Sequence, residues 1–392
     1  MASASPPADA LVIGGGAIGL AIAWRGAARG LAVTVVDPAP GRGASHAAAG
    51  MLTPVSELQY GEEALLRLNM DSADRYPAFA ADLEAASGLP SGYRACGTLA
   101  VALDADDRAV LKELHAFQGR LGLASTWLTS RECRRLEPML SPAVSGGLHV
   151  EGDHQIDNRR LVAALLAACE RAGVVIVRRA VAELLASGGR ATGVRLDDGT
   201  ELGAGHVVLA AGCGSARLPG LPPGVIPAIR PVKGEILRLR VPEAYAPFLS
   251  RNVRAVVKGG SMYLVPRADG ELVVGATEYE MDDTVVTAGG VYELLRDARE
   301  LVPGISELPL IETYAGLRPG SPDNAPVIGA TELPGLIAAT GHYRHGILLT
   351  PVTADAVAGL LADETVPDVV RPWGPSRFGA SGTRPSREVS YA

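Results

Sequence analysis

Cysteine is scarce in this chain, and the four present, Cys96, Cys133, Cys169 and Cys213, stand far apart with no C-x-x-C pair. That spacing excludes a disulfide framework and reads as buried or free thiols in a reducing compartment. An excess of basic charge is also missing, with 36 Lys and Arg against 43 Asp and Glu and a net charge of -7. Such a mild acidic balance argues against a general affinity for nucleic acid or anionic membrane, and for small-molecule partners. No apolar run near the start is long enough to span a bilayer, because glycines and then Arg25 and Arg29 interrupt it. Residues Met1 to Ala8 lack the basic region and apolar core of a secretion signal, so a cytoplasmic protein is expected.

What is present is enough apolar material, 47% of 392 residues, to bury a large core in two domains. The organising stretch is Asp9 to Asp37, DALVIGGGAIGLAIAWRGAARGLAVTVVD. An apolar run meets three glycines, an alanine-rich helical pattern follows, and a second apolar run ends in an acid. This predicts strand, tight turn, helix, strand. In the spacing Gly14-x-Gly16-x-x-Gly19, Gly14 permits the sharp turn, Gly16 lets a pyrophosphate approach, and Gly19 lets the helix lie on the strand. Ala17 and Ile18 then open a helix whose N-terminal amides face the phosphates. Asp37 is placed to accept hydrogen bonds from ribose hydroxyls. The stretch predicts a dinucleotide and leaves NAD against FAD open.

No second βαβ half follows Asp37. Instead a small-residue loop runs from Gly41 to Gly50, with Ser45, His46, Ala49, Gly50 and Met51 able to press backbone against a flat ligand. Amphipathic helices are expected between Glu62 and Ala86, a strand at Gly97 to Leu103, and a helix at Asp104 to Gly122 capped by Asp104. The mixed-charge run Ser130 to Pro138 reads as a solvated face. Asp157 is expected to cap a helix reaching Ala172, and short strands from Val174 to Leu202 meander through an Asp198-Gly199 hairpin. A buried strand from His206 then turns at Ala211-Gly212. Longer alternating strands at Arg230 to Arg240 and Ser261 to Glu278 predict a largely antiparallel second domain, closed by a helix at Gly290 to Leu301. Ile311 to Leu317 and Leu336 to Thr340 are expected as strands, each followed by a glycine-bearing turn that contains arginine. A helix from Thr350 to Asp363 ends the fold, and Trp373 to Ala392, rich in Gly, Pro, Ser and Arg, is expected to be mobile.

Seven separated motifs, VIGGGAIGLAIAW, SHAAAGML, GDHQIDNRRL, RPVKGEILRL, YLVPRADGELVVGAT, AGLRPGSPDNAPVIG and ATGHYRHGILLTP, cover Leu11 to Pro351. Together they resemble the FAD-dependent D-amino acid oxidase superfamily, and within it the glycine oxidases that supply thiamine biosynthesis. The resemblance implies an α/β fold: a discontinuous Rossmann-like FAD domain (8–85, 148–222, 317–372) and an α+β substrate domain (86–147, 223–316). The tail is 373–392. It implies non-covalent FAD held by Gly14, Gly16, Ala17, Ile18, Gly19, Asp37, Ser45, Ala49, Gly50, Met51, Val181, Ala211 and Gly212. The loop Gly341, His342, Arg344, His345, Gly346, Ile347 and Leu348 would run beneath the ring.

For the substrate, the resemblance implies Arg318 as carboxylate clamp and Tyr263 as hydroxyl donor to the same carboxylate. Arg344 either adds a second positive charge there or braces the loop. Ser261, Glu278 and His345 depart from known members, and Glu278 either attracts an ammonium or ends a strand in solvent. His342 and His345 lack a third ligand, so no metal is expected. The implied reaction is oxidation of a small amino acid, glycine foremost, with O2 as acceptor, in a homotetramer with thiazole synthase downstream. N-substituted glycines, D-amino acids, a quinone-linked dehydrogenase and a flavin-binding partner without turnover are the alternatives.

Overall fold

The computed structural model describes residues 8–257, 260–363 and 366–379. Two large sheets dominate it. At the centre of the first, Ala8–Ile13 lies between Val33–Val36 and Glu201–Leu209, parallel to both, and Leu336–Thr340 extends the parallel set on the far side of Glu201–Leu209. Where they run together at residues 11–13, 207–209 and 336–338 these strands are apolar and buried on both faces, as parallel strands under helices must be. Helices Ala17–Ala27, Glu63–Ser87, Asn158–Arg171 and Thr350–Asp363 cover one face through a core that includes Trp24, Leu68, Phe79, Leu165 and Val357. The antiparallel meander Val181–Ser187, Arg190–Leu196 and Glu201–Leu209 contributes to the core of the other face.

The second sheet runs in the order Leu310–Gly320, Arg230–Arg240, Glu271–Gly275, Gly260–Pro266, Asn252–Val257, Thr98–Ala102, Gly146–Val150, Thr126–Thr129. All its pairs are antiparallel except Asn252–Val257 with Thr98–Ala102. Alternation sorts its side chains. Leu237, Leu239, Leu264 and Val274 pack on Leu294, Ala298 and Leu301 of the helix Ala288–Leu301, whereas Ile236, Tyr263, Val265 and Tyr314 gather with Ala49 and Met51 from the loop after Asp37. One face therefore rests on a helix and the other roofs the first sheet's loops.

Local signals account for the ends of several elements. Asp104 accepts the Asp107 N–H at 2.8 Å, and Asp157 accepts those of Arg159 and Arg160 at 2.9 and 3.2 Å. The charged run from Ser130 forms the helix Ser130–Leu136, closed by a capping box of Thr129 and Glu132.

Three expectations are corrected. The last long strand, Leu310–Gly320, extends past Leu317, so Arg318 lies within a paired strand opposite Val232 and not in a turn. That strand and Gly146–Val150 belong wholly to the second sheet, so seams at 147/148 and 316/317 fall inside strands. The tail begins later than its composition suggests. Trp373 and Phe378 are buried, and Arg377 pairs with Asp323 at 3.0 Å while its guanidinium lies 4.2 Å from the Phe378 ring centre. Aromatic burial overrides the Gly, Pro and Ser content up to Gly379, and residues 380–392 lie outside the described ones. No described helix is long and apolar enough to cross a membrane.

Candidate active site

The glycine turn is built on contacts that no side chain could share. Gly14 has φ +105, and a Cβ there would lie 2.4 Å from the Ala210 carbonyl oxygen. At Gly19 it would lie 1.9 Å from the Gly14 oxygen. The strand ends at Ile13 and Leu209 are thereby drawn together, which brings Ala211 and Gly212 to the turn. Asp37 accepts the N–H groups of Gly15 and Ala39, both at 2.7 Å. Ser45 accepts the Ala17 N–H at 2.9 Å, fastening the small-residue loop to the helix start. Gly16 and Ile18 are half-buried beside it, and Val181 opens the meander, paired with Leu196.

Two motif residues hold that loop in place. Asn158 donates to the carbonyl oxygens of Ser45 and His46 at 2.8 and 3.0 Å. Arg267 donates to the Ala49 carbonyl at 2.6 Å, to Gln155 at 2.8 Å and to Asn158 at 3.1 Å. From the roof, Gly316 lets Ala47 approach, since a Cβ there would stand 2.4 Å from that methyl. Met51 then enters the short strand Met51–Leu52.

The second loop, Gly341 to Leu348, is held from below. Tyr76 and Ser72 donate to the carbonyls of Ile347 and Leu348 at 2.5 and 2.6 Å. His342 is buried and shares a 3.0 Å hydrogen bond with Thr353. Burial pushes both His342 and His345 down to about 3, so both imidazoles are neutral. Neither ring nitrogen of His345 has a hydrogen-bond partner. Tyr343, in the left-handed region at φ +48, donates to Glu278 at 2.6 Å. Glu278 is exposed but engaged, which the sequence left open. Among the described residues no group of three His, Cys, Asp or Glu is placed to hold a metal.

On the roof, two glycines make room for the two substrate candidates. A Cβ at Gly234 would meet the Arg318 guanidinium at 2.5 Å, and one at Gly275 would meet the Tyr263 hydroxyl at 2.5 Å. Arg318 donates to the Thr277 carbonyl at 3.2 Å, and its positive charge acts on the Tyr263 hydroxyl. Burial raises the pKa of that hydroxyl, with Arg318 opposing, so Tyr263 remains a donor. Among the described residues Arg318 has no carboxylate partner. Arg344 is different, since it is bonded to Glu62. Its charge is compensated, and of the two roles open to it the loop-bracing one fits.

Sequence reasoning missed Glu57 and Arg254. Arg254 stands directly opposite Tyr263 in register and is bonded to Glu57, and its Nη1 lies 3.9 Å from the Met51 sulfur. Burial alone would raise the Glu57 carboxyl, yet the guanidiniums of Arg254 and Arg344 hold it below the usual range. The only available signal was an arginine set in the apolar run Asn252 to Val257.

A glycine-turn βαβ unit, two loops fixed from outside and a roof sheet presenting guanidinium and phenol define a dinucleotide-dependent oxidoreductase. The chain belongs to the DAO family of FAD dependent oxidoreductases, whose model matches residues 9–360. It is 36% identical over 375 residues to the bifunctional protein ThiO/ThiG of Synechocystis, covering 94% of this chain and 54% of that protein. It thus spans about half the length of such curated relatives. It is also 36% identical over 358 residues to the glycine oxidase of Geobacillus kaustophilus, covering 90% and 92% of the two chains. The crystal structure of that species' glycine oxidase superposes with a TM-score of 0.87 at 33% identity, covering 95% of this chain and 99% of the other.

FAD fits the residues present. The turn at Gly14 to Gly19 leaves backbone where side chains would intrude, and the loops at Ser45 to Met51 and Gly341 to Leu348 are fixed from outside. His345 supplies buried ring nitrogens with no hydrogen-bond partner among the described residues.

Proposed function

We propose that the chain oxidises a small amino acid, glycine foremost, with O2 and water to glyoxylate, ammonia and hydrogen peroxide. The observation that carries this is Arg318, a half-buried guanidinium with no carboxylate partner among the described residues, whose charge acts on the Tyr263 hydroxyl on the face that roofs the first sheet's loops. A guanidinium fork recognises one carboxylate in a bidentate pair, and Tyr263 adds a third donor. FAD, when bound, supplies the two-electron acceptor for the α-hydride and returns the pair to O2.

In this reading Gly14, Gly16, Ala17, Ile18, Gly19 and Asp37 hold the ADP half, with Val181, Ala211 and Gly212 along it. Ser45, Ala49, Gly50, Met51 and the loop from Gly341 to Leu348 border the ring. Arg318 and Tyr263 orient the acid so that its α C–H faces that ring, and orientation is the protein's main contribution. The name of the Geobacillus relative supports glycine as substrate, and the family resemblance implies that its imine passes to a thiazole synthase in making thiamine. The resemblance further supports a cytoplasmic homotetramer, which light scattering would measure.

The test is anaerobic mixing of the FAD-loaded protein with glycine, sarcosine, D-alanine and D-proline. Glycine should bleach the flavin absorbance fastest, and admitting air should restore it with peroxide formed. A spectrum that none of the four alters would sink the reading.

A further inference from the structure

Three arginines, Arg318, Arg254 and Arg344, surround or brace this site, and the segment between Leu52 and the helix Glu63–Ser87 supplies counterions for two of them. Glu57 bonds Arg254 and Glu62 bonds Arg344, whereas no described carboxylate reaches Arg318. Arg254 is directly opposite Tyr263 on the roof face, against Met51. The Arg254 and Glu57 side chains are 14% and 12% exposed, so the pair is mostly withdrawn from water without being sealed off. Asp153 fixes the segment that carries Glu57 by accepting the N–H groups of Val55 and Ser56 at 3.2 and 2.7 Å.

Resting on the reading above, we infer that Glu57 is a specificity-determining residue: by neutralising Arg254 it leaves Arg318 as the free cation of the site among the described residues and restricts it to substrates with one carboxylate. A guanidinium held in a poorly solvated place demands an anion. With Glu57 in place a second acid group on the substrate finds no vacant donor fork and meets a like charge. Without Glu57, Arg254 becomes a second clamp on the same face as Arg318. A glycine bearing a carboxymethyl arm on nitrogen then has a partner for each end.

The experiment compares the FAD-loaded parent with Glu57→Gln, using glycine and iminodiacetate under steady-state and anaerobic conditions. The ratio of kcat/KM for iminodiacetate over glycine should rise at least about tenfold in E57Q, the worth of one charge-assisted contact. The double variant Glu57→Gln/Arg254→Met should return the ratio to the parent value. An unchanged ratio in E57Q, or a rise that persists without Arg254, overturns the inference. Should E57Q fail to retain flavin, Glu57→Asp, which loosens the pair and keeps its charge, should shift the ratio part of the way, and no shift overturns it equally. A parent that glycine does not reduce speaks against the proposed function, whereas a parent reduced by glycine with an unmoved variant ratio speaks against this inference alone.

Discussion

Lysine at position 318 would keep the charge and lose the recognition. The guanidinium of Arg318 lies over Gly234 and is braced by the Lys233 and Thr277 carbonyls, which fixes the plane of its fork. An ammonium on a flexible stem offers no such plane. Each lost charged hydrogen bond is worth about 1.5–3 kcal/mol, so Arg318→Lys should raise the KM for glycine by about 10–150-fold. Flavin content, read as the ratio of visible to protein absorbance, should stay at the parent level, because the hydrogen bonds of Arg318 go to roof carbonyls and not to the loops proposed to border the ring. A KM within twofold of the parent would remove Arg318 from substrate binding.

At the scale of elements, the roof and the floor meet through the loop Ser45 to Met51, and Asn158 is the hub of that meeting. Its amide donates to two loop carbonyls, and its side-chain oxygen accepts from Arg267, which itself holds Ala49. Asn158→Ala leaves buried carbonyls and a buried guanidinium short of partners, costing about 1–3 kcal/mol for each group left bare. The expected outcome is weaker FAD retention on dilution together with a lower unfolding midpoint; equal retention would mean that the loop holds its shape without the hub.

The periodic elements around this hub were legible in the sequence, because apolar spacing and caps such as Asp104 and Asp157 act within a few residues. The glycine turn was legible for the same reason. Glu57 and Arg254 were not: they stand 197 positions apart, and a pair closed by tertiary folding leaves no trace in local spacing. The single strand reaching Arg318 and the buried Trp373 and Phe378 were misjudged likewise, since their states are set by neighbours remote in the chain.

For the molecule as a whole, the summed protonation of buried groups decides how stability follows pH. His342 and His345 are each held down to about 3 by burial, far below the ordinary 6.5. For a base lowered in the folded state, stability is present above the unfolded pKa and is lost as pH falls toward the folded one, so both oppose folding increasingly below about pH 6.5. Asp153 works in the opposite sense, since burial raises it to about 6, so that folding favours its protonated form and stability is lost as pH rises. Between pH 7.5 and 5.5 each imidazole removes on the order of 1 kcal/mol and Asp153 returns part of that, so the net change is a loss. His46, His149 and His154, also lowered by burial, add to the loss. His345→Asn removes one of the two deeply buried imidazoles without emptying its place in the loop, and should flatten the profile by on the order of 1 kcal/mol over those two pH units. Urea unfolding at a fixed FAD concentration would measure it, and a variant with the parent's pH slope would show that the His345 imidazole is reached by water and protonated in the folded protein.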